Sequence, residues 1–142
     1  MNHSDPKTVV TQFLRYMGSN EPGGVEKAGE MFAEDASFWI AGDTPISGLM
    51  VGREKIMENR FRPANKRIVA GSKSLEIGKV MAEGEFVAAE WTSRRRVVDS
   101  KDYENAFFGL FQISDGKIKS LREYLDTQKV IEAGWFHSSK KL

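Results

Sequence analysis

The chain has 142 residues, 40% of them hydrophobic, and carries 21 Lys plus Arg against 20 Asp plus Glu for a net charge of +1. That length suits one domain able to bury a real core, and so balanced a charge gives no field to draw nucleic acid or anionic lipid. The absence of cysteine excludes disulfides, thiolate nucleophiles and Cys-based zinc sites, and His3 and His137 alone offer little for a metal cluster or a histidine-based triad.

Met1 to Lys7 is polar, and no apolar run approaches the roughly 18 residues of a membrane span, so a cytoplasmic protein is expected. Asp5 before Pro6 reads as a helix cap followed by proline at the first helical position. Val9, Val10, Phe13, Leu14 and Met17 then recur at helical spacing until Gly18. Past the turn-rich Asn20-Glu21-Pro22-Gly23, the spacing predicts a second helix from about Gly24 to Phe32, with Val25, Ala28, Met31 and Phe32 on one side. Ala36 to Ile40 reads as a short strand and the stretch Gly42 to Gly52 as a loop, followed by a third helix ending near Pro63.

From Arg67 the pattern changes to strands, near Arg67–Met81, Phe86–Val98, Tyr103–Ile113 and Ile118–Tyr124. Turn signals at Glu83-Gly84, Asp99 to Asp102 and Asp115-Gly116 make these consecutive antiparallel hairpins. Thr127 is placed as the cap of a last helix that runs through Ala133 and ends at Gly134, with residues 135–142 as a flexible tail. No repeat or internal linker interrupts this order. Helices first and a meander afterwards predict one α+β domain, its core at about 5–133, in which a curved sheet wraps around the N-terminal helices and leaves a cavity inside.

Strand alternation places Leu121, Glu123 and Leu125 on one face and Arg122, Tyr124 and Asp126 on the other. A carboxylate between two leucines, if it faces a cavity, has its pKa raised by desolvation and becomes a general acid or base near neutrality. The competing reading is a Glu held in an ion pair with an arginine. Trp91, Ser93 and Arg95 share one strand face and suit a pocket wall and its mouth, although Trp91 and Ser93 fit plain core packing as well.

On the next strand Asn105, Phe107, Gly109 and Phe111 alternate with Ala106, Phe108 and Leu110, so both faces read as buried. Asn105 then needs a partner, either a ligand or a neighbouring strand or loop. Trp39, beside the glycine-rich loop, is read either as a gate to the cavity or as surface aromatic packing. The triplet Arg94-Arg95-Arg96 is split by alternation across two faces and reads as a solvated hairpin end. No phosphate-binding glycine motif is present.

Phe32-Ala33-Glu34-Asp35-Ala36, the Gly52-Arg53 helix start, Gly116-Lys117-Ile118 and Leu121-Arg122-Glu123-Tyr124 together give nearly the whole chain a resemblance. It resembles the superfamily of nuclear transport factor 2, ketosteroid isomerase, SnoaL-like polyketide cyclases and limonene epoxide hydrolase. The resemblance implies a cone-shaped α+β barrel of the cystatin-like type with a mixed or antiparallel sheet, a small hydrophobic ligand, and homodimerisation through the outer sheet face. That face would present Arg122, Tyr124 and Asp126 with Glu90, Thr92 and Arg94.

Tyr103 to Asp126 is most similar to limonene epoxide hydrolase, and the resemblance puts Glu123 at the acidic position of that family's last strand. Trp91 and Ser93 then stand where the family has arginine and aspartate, and Phe38 and Ile40 where it has its water-holding tyrosine and asparagine. Against ketosteroid isomerase, Ile40 stands near the base aspartate, Gly109 near the second acid, and Phe13 or Tyr16 near the oxyanion tyrosine. A SnoaL-like cyclase or isomerase, needing one acid/base in an apolar cavity, asks least of this sequence.

Two functions follow as expectations. One is a cofactor-independent isomerase, cyclase or hydrolase without a metal, with Glu123 as acid/base and Trp91, Ser93, Asn105, Phe107, Leu121, Leu125, Trp39, Tyr16, Phe38 and Ile40 around the substrate. The other is a binding protein whose cavity holds a hydrophobic ligand and whose Glu123 serves a structural ion pair.

Overall fold

The computed structural model describes residues 5–99 and 102–134. The readings made for His3, for the Ser100-Lys101 part of the turn and for residues 135–142 lie outside them.

Helix α1 spans Pro6–Met17, and the Asp5 carboxylate accepts from the Thr8 N–H at its start. Val9, Val10, Phe13 and Leu14 form its buried stripe. Helix α2, Gly24–Glu30, stops before the predicted Phe32, because that residue opens strand β1, Phe32–Ile40. The pull comes from the sheet: the Met31 carbonyl accepts from the Ile118 N–H at 2.8 Å, and the Phe32 carbonyl from Arg53 Nη1 at 3.2 Å. Sheet pairing thereby overrides the helical spacing of Met31 and Phe32, and β1 begins four residues before the predicted Ala36. Its register against the neighbouring strand slips between Phe32 and Ser37, which marks an irregularity of the bulge kind.

The predicted loop from Gly42 to Gly52 contains a four-residue strand, β2, Gly48–Val51, paired antiparallel with β1. Its flanking Pro45, Gly48 and Gly52 hide so short an edge strand in the sequence. The third helical stretch is built of α3 (Arg53–Ile56), a π-helical turn (Met57–Phe61) and α4 (Arg62–Lys66), so it runs past Pro63 instead of ending there. Proline in a regular helix has no N–H to donate and collides with the carbonyl four residues back. Here the Arg62 N–H reaches five residues back to the Met57 carbonyl, and this widened turn lies directly before the proline. The turn also buries Met57, Arg60 and Phe61.

Strand β3 spans Ser74–Glu83, β4 Phe86–Arg96, β5 Asp102–Ser114 and β6 Lys117–Leu125. The predicted first strand thus starts seven residues late, since residues 67–73 make only an isolated bridge between Ile68 and Val97. Ser114 pairs with Lys117 across Asp115 and Gly116, both at positive φ (53° and 74°), the backbone that a two-residue hairpin of the right twist demands. Helix α5, Thr127–Ala133, is capped by Asp126, one residue before the predicted Thr127: its carboxylate accepts from the Gln128 and Lys129 N–H groups.

The strand order is β2-β1-β6-β5-β4-β3, with β1 and β6 parallel and every other pair antiparallel. The sheet is mixed, curled and unclosed, as the cone expectation required. Phe13 from α1 meets Phe32 and Phe111 edge-on, with ring centroids at 5.5 and 5.9 Å, and so fastens the helix to the inner face. The outer face of β5 departs from expectation. Ala106 is exposed and Phe108 is 43% exposed, because the described helices pack on the inner face only.

Candidate functional site

Between α1, the π turn and the inner face of β4, β5 and β6 lies a cavity of about 50 Å³. That is about a third of the roughly 150 Å³ known to hold benzene, so the space suits waters or one very compact organic molecule. The sheet contributes Trp91, Ser93 and Arg95 from β4, Tyr103 and Phe107 from β5, and Glu123 and Leu125 from β6. Phe13, Leu14 and Met17 close it from α1, and Arg60, Phe61 and Ala64 from the third helical stretch.

The wall is organised by strand register. Trp91 pairs with Phe107 across β4 and β5, and their rings stack in parallel at 5.4 Å. Gly109 pairs with Glu123 across β5 and β6, so no side chain of β5 crowds the carboxylate there. A Cβ on Gly109 would stand 2.9 Å from both Trp91 Cη2 and Phe111 Cε1; glycine is what lets these rings close over that position.

Glu123 is 5% exposed, and its Oε1 accepts no hydrogen bond. Arg60 Nη2 approaches Oε1 to 3.9 Å. Burial pushes the carboxyl pKa up to about 6, and the Arg60 guanidinium holds it back from rising further. The two sequence readings of Glu123, a cavity acid and a paired carboxylate, therefore describe the same side chain. Burial, assisted by the positive charge of Arg60, lowers Arg95 to about 10. Burial also raises the Tyr103 phenol, which stays protonated at neutral pH.

Of the other residues expected around a ligand, Trp91, Ser93, Phe107 and Leu125 line the cavity. Asn105 is outside the lining. Its Nδ2 donates to the Tyr103 hydroxyl at 2.7 Å and to the Asp126 carbonyl at 3.0 Å, while its Oδ1 accepts from the Ala106 and Asp126 N–H groups. It is the splint between β5 and the start of α5, which corrects its placement beside a ligand. Phe38 and Ile40 on β1, and Leu121 on β6, are 0–1% exposed in the solid core and are also outside the lining. Tyr16 sits at the edge of the core with Lys27 Nζ 5.9 Å from its ring centre. Trp39 points to the outer face, edge-on to Tyr124 at 5.4 Å and beneath the Arg122 guanidinium at 4.1 Å.

Arg60 and Tyr103 were not singled out in the sequence. Arg60 shares a helical face with Ile56 and Ala64, four residues to either side, so an arginine on an apolar stripe was the available signal. Tyr103 continues inward the alternation of Asn105 and Phe107. The arginine triplet, read both as split across two faces and as a solvated hairpin end, divides: Arg95 is 8% exposed, on the face of Trp91 and Ser93, whereas Arg94 and Arg96 lie outside and pair with Glu104 and Asp102. Among the described residues no cluster of His, Asp or Glu is arranged to hold a metal ion, and no helix is long and apolar enough to cross a membrane.

The SnoaL-like domain family matches residues 10–121. Among curated proteins none matches at the level of sequence. Similar solved structures include a protein of ketosteroid isomerase-like fold from Catenulispora acidiphila in complex with trimethylamine, 20% identical over 89% of this chain and 92% of that one, with a TM-score of 0.69. A nuclear transport factor 2-like protein from Burkholderia thailandensis is 16% identical over 90% and 95%, with a TM-score of 0.73. A phenazine biosynthesis-related protein from Pseudomonas aeruginosa is 19% identical over 92% and 81%, with a TM-score of 0.67. At these identities the likeness is one of fold. The chain belongs to the SnoaL-like family, within the nuclear transport factor 2-like superfamily.

Proposed function

We propose that this SnoaL-like chain acts as one domain and as a cofactor-independent acid/base enzyme, an isomerase, cyclase or hydrolase, on a small hydrophobic substrate. The observation that carries the reading is Glu123: a carboxyl group buried in a cavity, with one oxygen free of hydrogen bonds and a pKa of about 6. Near neutrality such a group populates both protonation states, which lets it take a proton from carbon beside a carbonyl and return it elsewhere. Arg60 steadies the carboxylate form, and the neutral Tyr103 phenol on the same cavity is a donor for an oxygen that gains charge. Trp91, Phe107 and Leu125 supply the apolar wall that positions the substrate and keeps water away. The trimethylamine held by the Catenulispora protein supports reading such a cone as a small-molecule site.

A second reading, a binding protein without turnover, is favoured by the Arg60–Glu123 pair and by Trp91 and Ser93 at the positions where the resemblance expects arginine and aspartate. Thermal shift against a panel of hydrophobic ketones, epoxides and esters, followed by product analysis, separates the two. Conversion that Glu123→Gln abolishes while binding persists supports the enzyme. Stabilisation without conversion, or equal turnover by the variant, contradicts it. The exposed Phe108 and Tyr124, with Trp39 and Arg122 beside them, make the outer sheet face the proposed homodimer surface. A concentration-independent monomer in light scattering would dismiss that.

A further inference from the structure

We infer that the cavity takes a small organic monoanion, a compact carboxylic acid whose carboxylate lies on the Arg95 guanidinium and whose apolar body lies against Trp91 and Phe107. This rests on reading the cavity as a small-molecule site and adds the chemical class of the ligand.

Three side chains of the lining are ionisable at neutral pH: Arg60 and Arg95 are charged, and Glu123, with its pKa of about 6, is mostly so at about pH 7. Arg60 faces Glu123 at 3.9 Å. Arg95 is left over. It is more than nine-tenths buried, its Nε donates to nothing, and no acidic side chain among the described residues pairs with it. Its sequence neighbours differ sharply. Arg94 pairs with Glu104 at 3.1 Å and Glu76 at 3.6 Å, and Arg96 with Asp102 at 3.0 Å, so the acids of this sheet end all serve the outer face.

A buried cation without a counter-charge is costly and stays in a fold only where something recovers the cost. A carboxylate fits the planar two-donor edge of a guanidinium and restores a charge-assisted pair. The charge count selects a single negative charge. Two arginines and one ionised glutamate leave +1, and a dianion would place its second charge against Glu123. Arg95 and Tyr103 line both the cavity and the outer groove beside residues 69–72, so they form the wall between the two spaces. The half-buried Lys73 is lowered to about 8 chiefly by burial and secondarily by the charge of Arg95, so the two cations lie near one another.

The test is calorimetric titration of the full chain with acetate and propionate against their primary amides, acetamide and propionamide. The acids should bind at least about tenfold tighter than the amides. Arg95→Gln should erase that preference while leaving amide affinity in place, Arg95→Lys should retain part of it, and Arg94→Gln on the outer face should change nothing. Equal binding of acid and amide by the unmodified chain overturns the inference but leaves the cavity as a small-molecule site. Failure of all four probes to bind at millimolar concentration overturns both. A preference that survives Arg95→Gln removes Arg95 from recognition. Should Arg95→Gln fail to fold, the acid-to-amide ratio of the unmodified chain decides, and a ratio near one is fatal.

Discussion

Replacing Glu123 with glutamine removes a titration without changing the shape of the side chain. The carboxyl pKa rises from an ordinary 4.5 to about 6 on folding, chiefly because burial disfavours the ion. A folded-state value above the unfolded one means that the native protein binds the proton more tightly than the unfolded chain. The stability linked to that proton is complete below about pH 4.5 and is lost as pH rises through about 6, the total being about 2 kcal/mol. Glutamine has no such dependence. Urea denaturation of both proteins at about pH 4 and about pH 7.5 gives two differences in unfolding free energy. Whatever the variant loses or gains through its contact with Arg60 is common to both pH values and cancels when they are subtracted. The remainder should favour the glutamine variant by about 2 kcal/mol at the higher pH. Parallel pH profiles for the two proteins would refute the burial argument.

Gly109→Ala should cost about 1–3 kcal/mol in chemical denaturation, because its Cβ meets two aromatic carbons at 2.9 Å and the Trp91 or Phe111 ring has to move. Unchanged stability would show that these rings have slack. Asn105→Ala should cost about 1–3 kcal/mol by leaving the Asp126 carbonyl and N–H without their side-chain partner, yet leave the affinity of a cavity-bound probe within about twofold. A large loss of affinity in a folded variant would put Asn105 back beside the ligand.

Where the sequence reading held, one strong local rule acted without competition. The alternation of Leu121, Glu123 and Leu125 survives because a half-covered sheet tolerates no other phase, and Asp5-Pro6 starts a helix wherever an apolar stripe follows. The departures arise where distant pairing decides. Met31 and Phe32 sit at good helical spacing, but β6 and Arg53 capture their carbonyls. Pro63 signals a stop, yet the helix continues past it from the wide turn directly before it. On β5 the run of Phe107, Phe108, Leu110 and Phe111 reads as buried on both sides, and nothing local tells that the outer side is left open.

The candidate site divides along the same line. Residues of β4 and β6 were legible through alternation. Arg60 was not, since its inward aim depends on the π turn, and Arg95 was placed on the pocket-wall face by alternation but also read as part of a solvated triplet whose other two members do face solvent. Asn105 was visible as a buried polar group, but the sequence held both of its fates open. The Tyr103 hydroxyl and the backbone of Asp126, twenty-one residues ahead, settle its partners.

The direct measurement is a ¹³C NMR titration of the glutamate side-chain carboxyls, with the Glu123 resonance assigned by its disappearance in Glu123→Gln. A midpoint near pH 6, well above those of exposed glutamates, is the result predicted for an acid in a water-poor cavity beside one arginine. A midpoint at or below the ordinary 4.5 would mean that Arg60 or water keeps the carboxylate fully stabilised, and Glu123 would lose its claim to acid/base work.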